Sequence, residues 1–182
     1  MVKPLSIYIH WPFCLSKCPY CDFNSHIADS VNHARWLSCF KRELSYFKNT
    51  VEGDQVVSIF FGGGTPSLMR PETVQGILEY IHDLWDVKKG CEITLEANPT
   101  SIEAGKFQDF KNAGINRVSI GVQALNDRDL KFLGRQHSAQ EALSAIDVAD
   151  KIFDRRTIDI IYARPEQTLK EWEEELSRAL KI

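Results

Sequence analysis

The sequence predicts an α/β fold built on a parallel sheet, and three observations carry that prediction. Short runs rich in Val, Ile, Phe and Tyr alternate with segments whose apolar residues recur at helical spacing. Several of those runs are almost continuously apolar, as expected of parallel strands covered on both faces. Helix-opening signals stand ahead of the segments between them. Strands alternating with helices make a parallel sheet, and right-handed crossovers turn it into an open sheet or a barrel.

In chain order, residues 5–10 read as the first strand. Leu37, Phe40, Leu44 and Phe47 then mark one face of a helix. The second strand is 56–61, and Pro71 suits the first turn of a helix reaching about residue 86. A third strand at 92–97 is followed by Thr100 and Glu103, spaced as a capping box. After the fourth strand, 117–122, a short helix begins beyond Asn126 and ends at Gly134. Ser138 with Glu141 opens the next helix, and 157–162 is the fifth strand. Thr168 with Glu171 opens the last helix, whose apolar face is Leu169, Trp172, Leu176 and Leu180. The chain stops inside that pattern, so the expectation is one domain over 1–182, truncated after about five β/α units.

Composition narrows the class. The 182 residues, 43% hydrophobic and 26% charged, match an ordinary soluble globular domain long enough to bury a core. A net charge of −3 with no basic stripe argues against a nucleic-acid surface. The longest apolar runs are too short to span a bilayer, and residues 1–10 lack the pattern of a signal peptide. Five cysteines, three of them clustered, do not make a disulfide framework and point to a reducing compartment, the cytoplasm. Cys39 on a helical apolar face and Cys91 at the opening of a strand read as buried small hydrophobes.

The chemistry concentrates where strands end. Cys14, Cys18 and Cys21 lie in one short loop directly after the first strand, spaced C-x3-C-x2-C with Tyr20 before the last. A cubane iron–sulfur cluster takes one thiolate per iron, so three would leave one iron open to a ligand. A structural zinc with His10 as fourth ligand is the competing reading, although zinc ligands more often come as two separated pairs. Gly62, Gly63 and Gly64, followed by Thr65 and Pro66, leave the second strand; a glycine run suits close backbone approach to a ligand, or a permissive turn. Glu96, Gln123 and Asp159 sit at or near other strand ends, and Arg135 follows Gly134. A carboxylate inside an apolar strand needs a partner, so Glu96 and Asp159 are either paired with an arginine or face a ligand. Arg135 could be that partner or could grip a ligand carboxylate bidentately.

Taken together, these stretches resemble the radical SAM superfamily, whose signature is the C-x3-C-x2-C loop with an aromatic before the last cysteine. The segments 8–14, 61–66, 95–99, 119–123 and 133–135 look more narrowly like the oxygen-independent coproporphyrinogen III oxidases and their relatives, the heme chaperones called HemW. The resemblance runs from about residue 5 to residue 172. It implies a partial (β/α)6 barrel with a [4Fe-4S] cluster on Cys14, Cys18 and Cys21 and S-adenosylmethionine on the open iron. By position within matching motifs, Tyr8, Tyr20, Gly63, Gly64, Thr65, Glu96, Gln123, Arg135 and Asp159 would line the S-adenosylmethionine site. It also implies an electron-donor protein, heme as a cargo and a heme-accepting partner.

Two departures refine the resemblance. The decarboxylating oxidases resemble C-x3-C-x2-C-x-C; here Phe23 stands at the last cysteine, which disfavours oxidase activity and looks like the chaperone branch. Tyr162-Ala163-Arg164-Pro165 stands where the family usually has Tyr-Gly-Leu-Pro, which unsettles the surroundings of Asp159. Relatives continue for about as many residues again, and the resemblance places the heme region there. The alternatives to a heme chaperone are therefore a coproporphyrinogen oxidase or a non-functional gene remnant.

Overall fold

The computed structural model describes residues 2–182, apart from the side chain of residue 102. Strand β1 (Pro4–Trp11) leads into two short strands, β2 (Phe13–Cys14) and β3 (His26–Ile27). Helix α1 (His33–Thr50) returns the chain to β4 (Gln55–Gly63); a 3-10 turn (Pro66–Leu68) and α2 (Pro71–Leu84) then lead to β5 (Asp86–Ala97). Two short helices, α3 (Ser101–Ala104) and α4 (Phe107–Asn112), precede β6 (Arg117–Gln123). The chain closes with α5 (Asp127–Phe132), α6 (Ala139–Ile152), β7 (Arg155–Ile160) and α7 (Leu169–Ala179).

The main sheet is five-stranded and parallel throughout, in the order β1-β4-β5-β6-β7, so each long strand lies beside the one before it. Right-handed crossovers in that order wind one way, which is part of a (β/α)6 barrel. One face of the sheet supplies Ile9, Trp11, Ile59, Phe61, Leu95, Val118 and Ile120 to a core completed by Ile77 and Ile81 of α2, Phe107 and Phe110 of α4, and Ile146 of α6.

The other face differs from the expectation of strands covered on both sides. Alternate residues there include Ser58, which donates to Ser6, and Thr94, Arg117, Ser119 and Thr157, which are joined by hydrogen bonds. Arg117 donates to Thr94 and Thr157 (both 3.0 Å), and Ser119 donates to Asp159 (3.1 Å). Among the described residues the polar side chains of this concave side satisfy one another.

Element limits shift locally. β5 begins six residues ahead of the predicted 92, so Cys91 is buried inside a strand that slips register between Val87 and Glu92. β7 ends at Ile160, leaving Ile161 and Tyr162 in the loop beyond it. The capping boxes at Ser138 and Thr168 form in full. That at Thr100 does not: its hydroxyl accepts from the Glu103 N–H (3.3 Å), but the Glu103 carboxylate turns inward to Ser67 and Asn98 and meets the cap only at the Thr100 hydroxyl (3.4 Å). On α1, Phe40 and Leu44 are buried whereas Phe47 is largely exposed. The predicted apolar face of α7 also lies open, with Leu169 and Leu180 more than 70% exposed and Glu175 buried in their stead. Polar contacts hold this helix to its neighbours: Glu175 accepts from the Leu125 N–H (2.8 Å) and pairs with Arg164 (2.5 Å).

Candidate functional site

The cysteine loop is closed at its base before it does any chemistry. β2 and β3 pair in parallel, the His26 N–H donates to the Pro12 carbonyl (2.7 Å), and the Ala28 N–H donates to that of Cys14 (3.3 Å). Within the loop, a turn bond runs from the Cys21 N–H to the Cys18 carbonyl (3.0 Å).

The glycine run of β4 meets this loop directly. Gly64 N–H donates to the Trp11 carbonyl (2.7 Å) and Thr65 N–H to that of Phe13 (2.9 Å). A Cβ on Gly64 would stand 2.7 Å from the Phe13 carbonyl oxygen and 3.0 Å from Cys14 Sγ. Gly63 has φ +118°, and a Cβ there would lie 2.7 Å from the His10 ring. The glycines thus have a second demand beyond a ligand: the backbone must approach the cysteine segment itself.

One cavity of about 790 Å³ at the carboxyl ends of the strands is lined by all three cysteines and by Tyr20, Gly63, Gly64, Thr65, Glu96, Gln123, Arg135 and Asp159. Tyr8 is the exception among the residues nominated for that site. Its ring stacks near Phe60 (centroids 6.2 Å apart), its hydroxyl bonds His10 Nδ1 (3.0 Å), and it faces a separate groove along β1. Its place on the edge strand sets the ring beside His10 and Phe60 and against Gly62. A Cβ on Gly62 would come within 2.9 Å of Tyr8 Cε2 and 3.2 Å of Glu96 Oε2, so the ring stands next to the cavity wall without lining it. His10 lies in that groove too, its Nε2 bonded to the Asn24 carbonyl (3.0 Å), which removes it from the thiols as a zinc ligand.

Neither carboxylate has the arginine partner that a structural role would supply. Among the described residues no ion pair includes Glu96 or Asp159. Glu96 accepts from the Gly63 N–H (3.2 Å), and burial, with Asp159 adding, raises its pKa above the usual carboxylate range. Asp159 is exposed to the cavity. Gln123 takes φ +71°, an uncommon backbone for a non-glycine residue, at the point where β6 ends.

Arg135 spans the floor. Its Nη2 donates to Asn98 Oδ1 (2.5 Å) and the Gly121 carbonyl (2.9 Å), and its Nη1 to Cys18 Sγ (3.5 Å) and the Tyr20 hydroxyl (3.4 Å). Burial pushes Tyr20 up to about 12, Arg135 opposing and Cys18 adding to the shift. Thr65 Oγ1 donates to Cys14 Sγ (3.4 Å).

Sequence reasoning passed over Asn98, Glu103, Ser67 and His137. Buried Glu103 accepts from Ser67 Oγ, the Asn98 N–H (3.0 Å) and Asn98 Nδ2 (3.4 Å). His137 lines the cavity and shares a hydrogen bond with the Val122 carbonyl (3.1 Å); burial, then Arg135, lowers its pKa to about 4. The Glu-Ala-Asn-Pro stretch did place Asn98 at a strand end, the one signal available.

The residues fit a cluster. A cubane needs three sulfurs around one space rather than converging on one point. Among the described residues no three His, Cys, Asp or Glu side chains are arranged to hold a single metal ion. The missing Cβ of Gly64 leaves room beside Cys14, and O–H and N–H donors aim at two sulfurs, which suits thiolates.

A half-barrel carrying three thiols and unpaired carboxylates at its strand ends defines a class, and sequence comparison agrees. The chain belongs to the radical SAM superfamily, whose profile matches residues 8–179. Within it, the chain is 42% identical over 190 residues to the heme chaperone HemW of Haemophilus influenzae, covering all of this chain and 49% of that one. It is 41% identical to HemW of Escherichia coli (100% and 49% covered) and 40% identical to the mitochondrial radical S-adenosyl methionine domain-containing protein 1 of Danio rerio (97% and 40%). The solved coproporphyrinogen III oxidase HemN of Escherichia coli superposes with a TM-score of 0.86 at 26% identity, over 99% of this chain and 42% of the oxidase. The chain thus spans at most about half the length of the curated relatives it matches.

Proposed function

We propose that this chain is the cluster- and S-adenosylmethionine-binding part of a heme chaperone. Cys14, Cys18 and Cys21 would hold a [4Fe-4S] cluster; bound there, it would supply one-electron reduction at the iron that no thiolate caps. The chain's own residues supply position and charge. Thr65 and Arg135 donate to two sulfurs, the two glycines keep the space beside Cys14 clear, and Glu96 and Asp159 present acceptors to the ammonium and hydroxyl groups of a nucleoside ligand. Tyr20, Gln123 and the Arg135 guanidinium complete the wall.

The observation that carries the reading is one cavity uniting three thiols with these carboxylates, with exposed Phe23 beside it where the oxidases have a fourth cysteine. Heme as cargo and its transfer to an acceptor protein are supported by the likeness to the HemW heme chaperones, and an electron-donor protein is what the radical SAM resemblance implies. The five cysteines are free thiols, in keeping with a reducing compartment, and no described helix is long and apolar enough to cross a membrane. We place the protein in the cytoplasm; the mitochondrial relatives raise the matrix as the alternative.

Anaerobic reconstitution with iron and sulfide tests this. The expected result is about four irons per chain, an electron-spin signal on reduction that changes when S-adenosylmethionine is added, and loss of both with Cys14→Ser. Heme titration against the reconstituted protein should show saturable binding; no cluster and no heme would overturn the proposal. The likeness to HemN favours a second reading, coproporphyrinogen oxidation. Anaerobic turnover of coproporphyrinogen would select it over the first.

A further inference from the structure

We propose that Asn98 is a positioning residue that aims hydrogen-bond donors at two of the three cysteine sulfurs and thereby sets how readily the site accepts an electron. The inference rests on the reading that these cysteines hold a cluster. Its geometry does not. Asn98 Oδ1 receives Arg135 Nη2 at 2.5 Å, while its Nδ2 donates to Thr65 Oγ1 and to Glu103 Oε1, both at 3.4 Å. That arrangement fixes which end of the amide is oxygen, since a guanidinium can only donate and a carboxylate that takes hydrogen bonds from several groups serves as acceptor.

The consequences run to the sulfurs through elementary valence. A threonine hydroxyl has a single proton. With Asn98 donating into its lone pair, that proton is left for Cys14 Sγ, 3.4 Å away. The guanidinium is planar, so seating Nη2 on Asn98 and the Gly121 carbonyl directs Nη1 to Cys18 Sγ at 3.5 Å. Asn98 is itself held at both backbone and side chain by Glu103, which is only 2% exposed. Among the described residues no side-chain donor reaches Cys21 Sγ. Donors to cluster sulfurs stabilise the reduced, more negative form and raise its potential.

The test has two independent arms. In the reconstituted chain, Asn98→Leu is expected to lower the reduction equilibrium constant about tenfold, ~59 mV for a one-electron couple, in a spin-monitored redox titration. Thr65→Val, which removes only the hydroxyl, should produce part of that shift and serves if Asn98→Leu does not fold. Asn98→Asp splits the two routes: it can still accept from Arg135 but cannot donate to Thr65. In the chain without cluster, double-mutant cycles on unfolding read the same coupling. Asn98→Leu should be non-additive with Cys14→Ala and with Cys18→Ala but additive with Cys21→Ala; Asn98→Asp should remain coupled to Cys18 alone. Equal coupling to all three cysteines, or to none, would overturn the proposal, as would a cluster potential unmoved by both Asn98→Leu and Thr65→Val. If the wild-type chain takes up no cluster, the proposed function fails and takes the electron-accepting role with it, while the cycles still decide whether Asn98 aims the two donors.

Discussion

Two buried polar groups sit at the carboxyl ends of the strands, and they are built on opposite principles. Beside the cysteines, Glu103 is satisfied by neutral donors from Ser67, Thr100 and Asn98, with no cation in contact. Behind the end of β6, Arg164 pairs with Asp129 (2.8 Å) and Glu175 (2.5 Å) and donates to the Ile161 carbonyl (2.5 Å). The second group ties α5, α7 and the loop after β7 together with charge. The first holds Asn98 with a carboxylate fed by neutral donors, and Asn98 in turn seats the Arg135 guanidinium that donates to Cys18 Sγ. The group beside the cysteines places donors by neutral, directional bonds, whereas the clamp, which also touches the Gln123 and Ile161 carbonyls at the cavity wall, uses ion pairs.

The largest effect should come from the charged clamp. Arg164→Met strands buried Glu175 and takes one of two arginines from half-buried Asp129, and should cost about 3–5 kcal/mol in urea unfolding. The neutral group should be milder: Glu103→Ala leaves the Asn98 and Ser67 donors unpartnered and should cost roughly 2–3 kcal/mol, with Glu103→Gln losing clearly less. If Glu103→Ala proves as damaging as Arg164→Met, the contrast between the two groups fails. Gly64→Ala forces a methyl group against the Phe13 carbonyl and Cys14 Sγ; it should cost about 1–3 kcal/mol and reduce iron uptake.

His137 provides a pH handle between the two groups. Its folded pKa of about 4 lies below the ordinary 6.5, so over that window the unfolded chain binds a proton that the folded chain does not. Stability should therefore fall as pH drops from about 6.5 to about 4, and His137→Gln should flatten the melting profile there. The smallest expected effect lies in the loop around the clamp. Ala163 (φ +55°) and Glu166 (φ +64°) occupy the left-handed region without being glycine. Glu166→Gly should stabilise by under about 1 kcal/mol.

Local chemistry was legible in the sequence, and long-range partnership was not. The strand ends, the cysteine loop and the boxes at Ser138 and Thr168 each depend on residues a few positions apart. Glu103 read as a third cap because Thr100 stands at the right distance, yet its partner Ser67 lies 36 residues back. The Tyr162-Ala163-Arg164-Pro165 stretch read as a disturbance near Asp159 through its missing glycine; its arginine points to Asp129, 35 residues earlier, and to Glu175. Tyr8 shares a motif with the cysteine loop, but an edge-strand ring follows its neighbours Phe60 and His10 rather than the cavity. The apolar stripe of α7 was visible, and its exposure was not, because spacing says which residues share a face and nothing about what meets it.

The span between Cys18 and Arg135 has a further consequence, for the order in which the protein is made. These partners are 117 residues apart, and Cys14 meets Thr65 across 51. During synthesis the three cysteines leave the ribosome first, while Thr65 arrives after one crossover of the sheet and Arg135 after three. Contacts of such separation form late. On the proposed function, iron delivered early would find thiols without a cradle, so a loaded site would report that the chain has folded as far as Arg135.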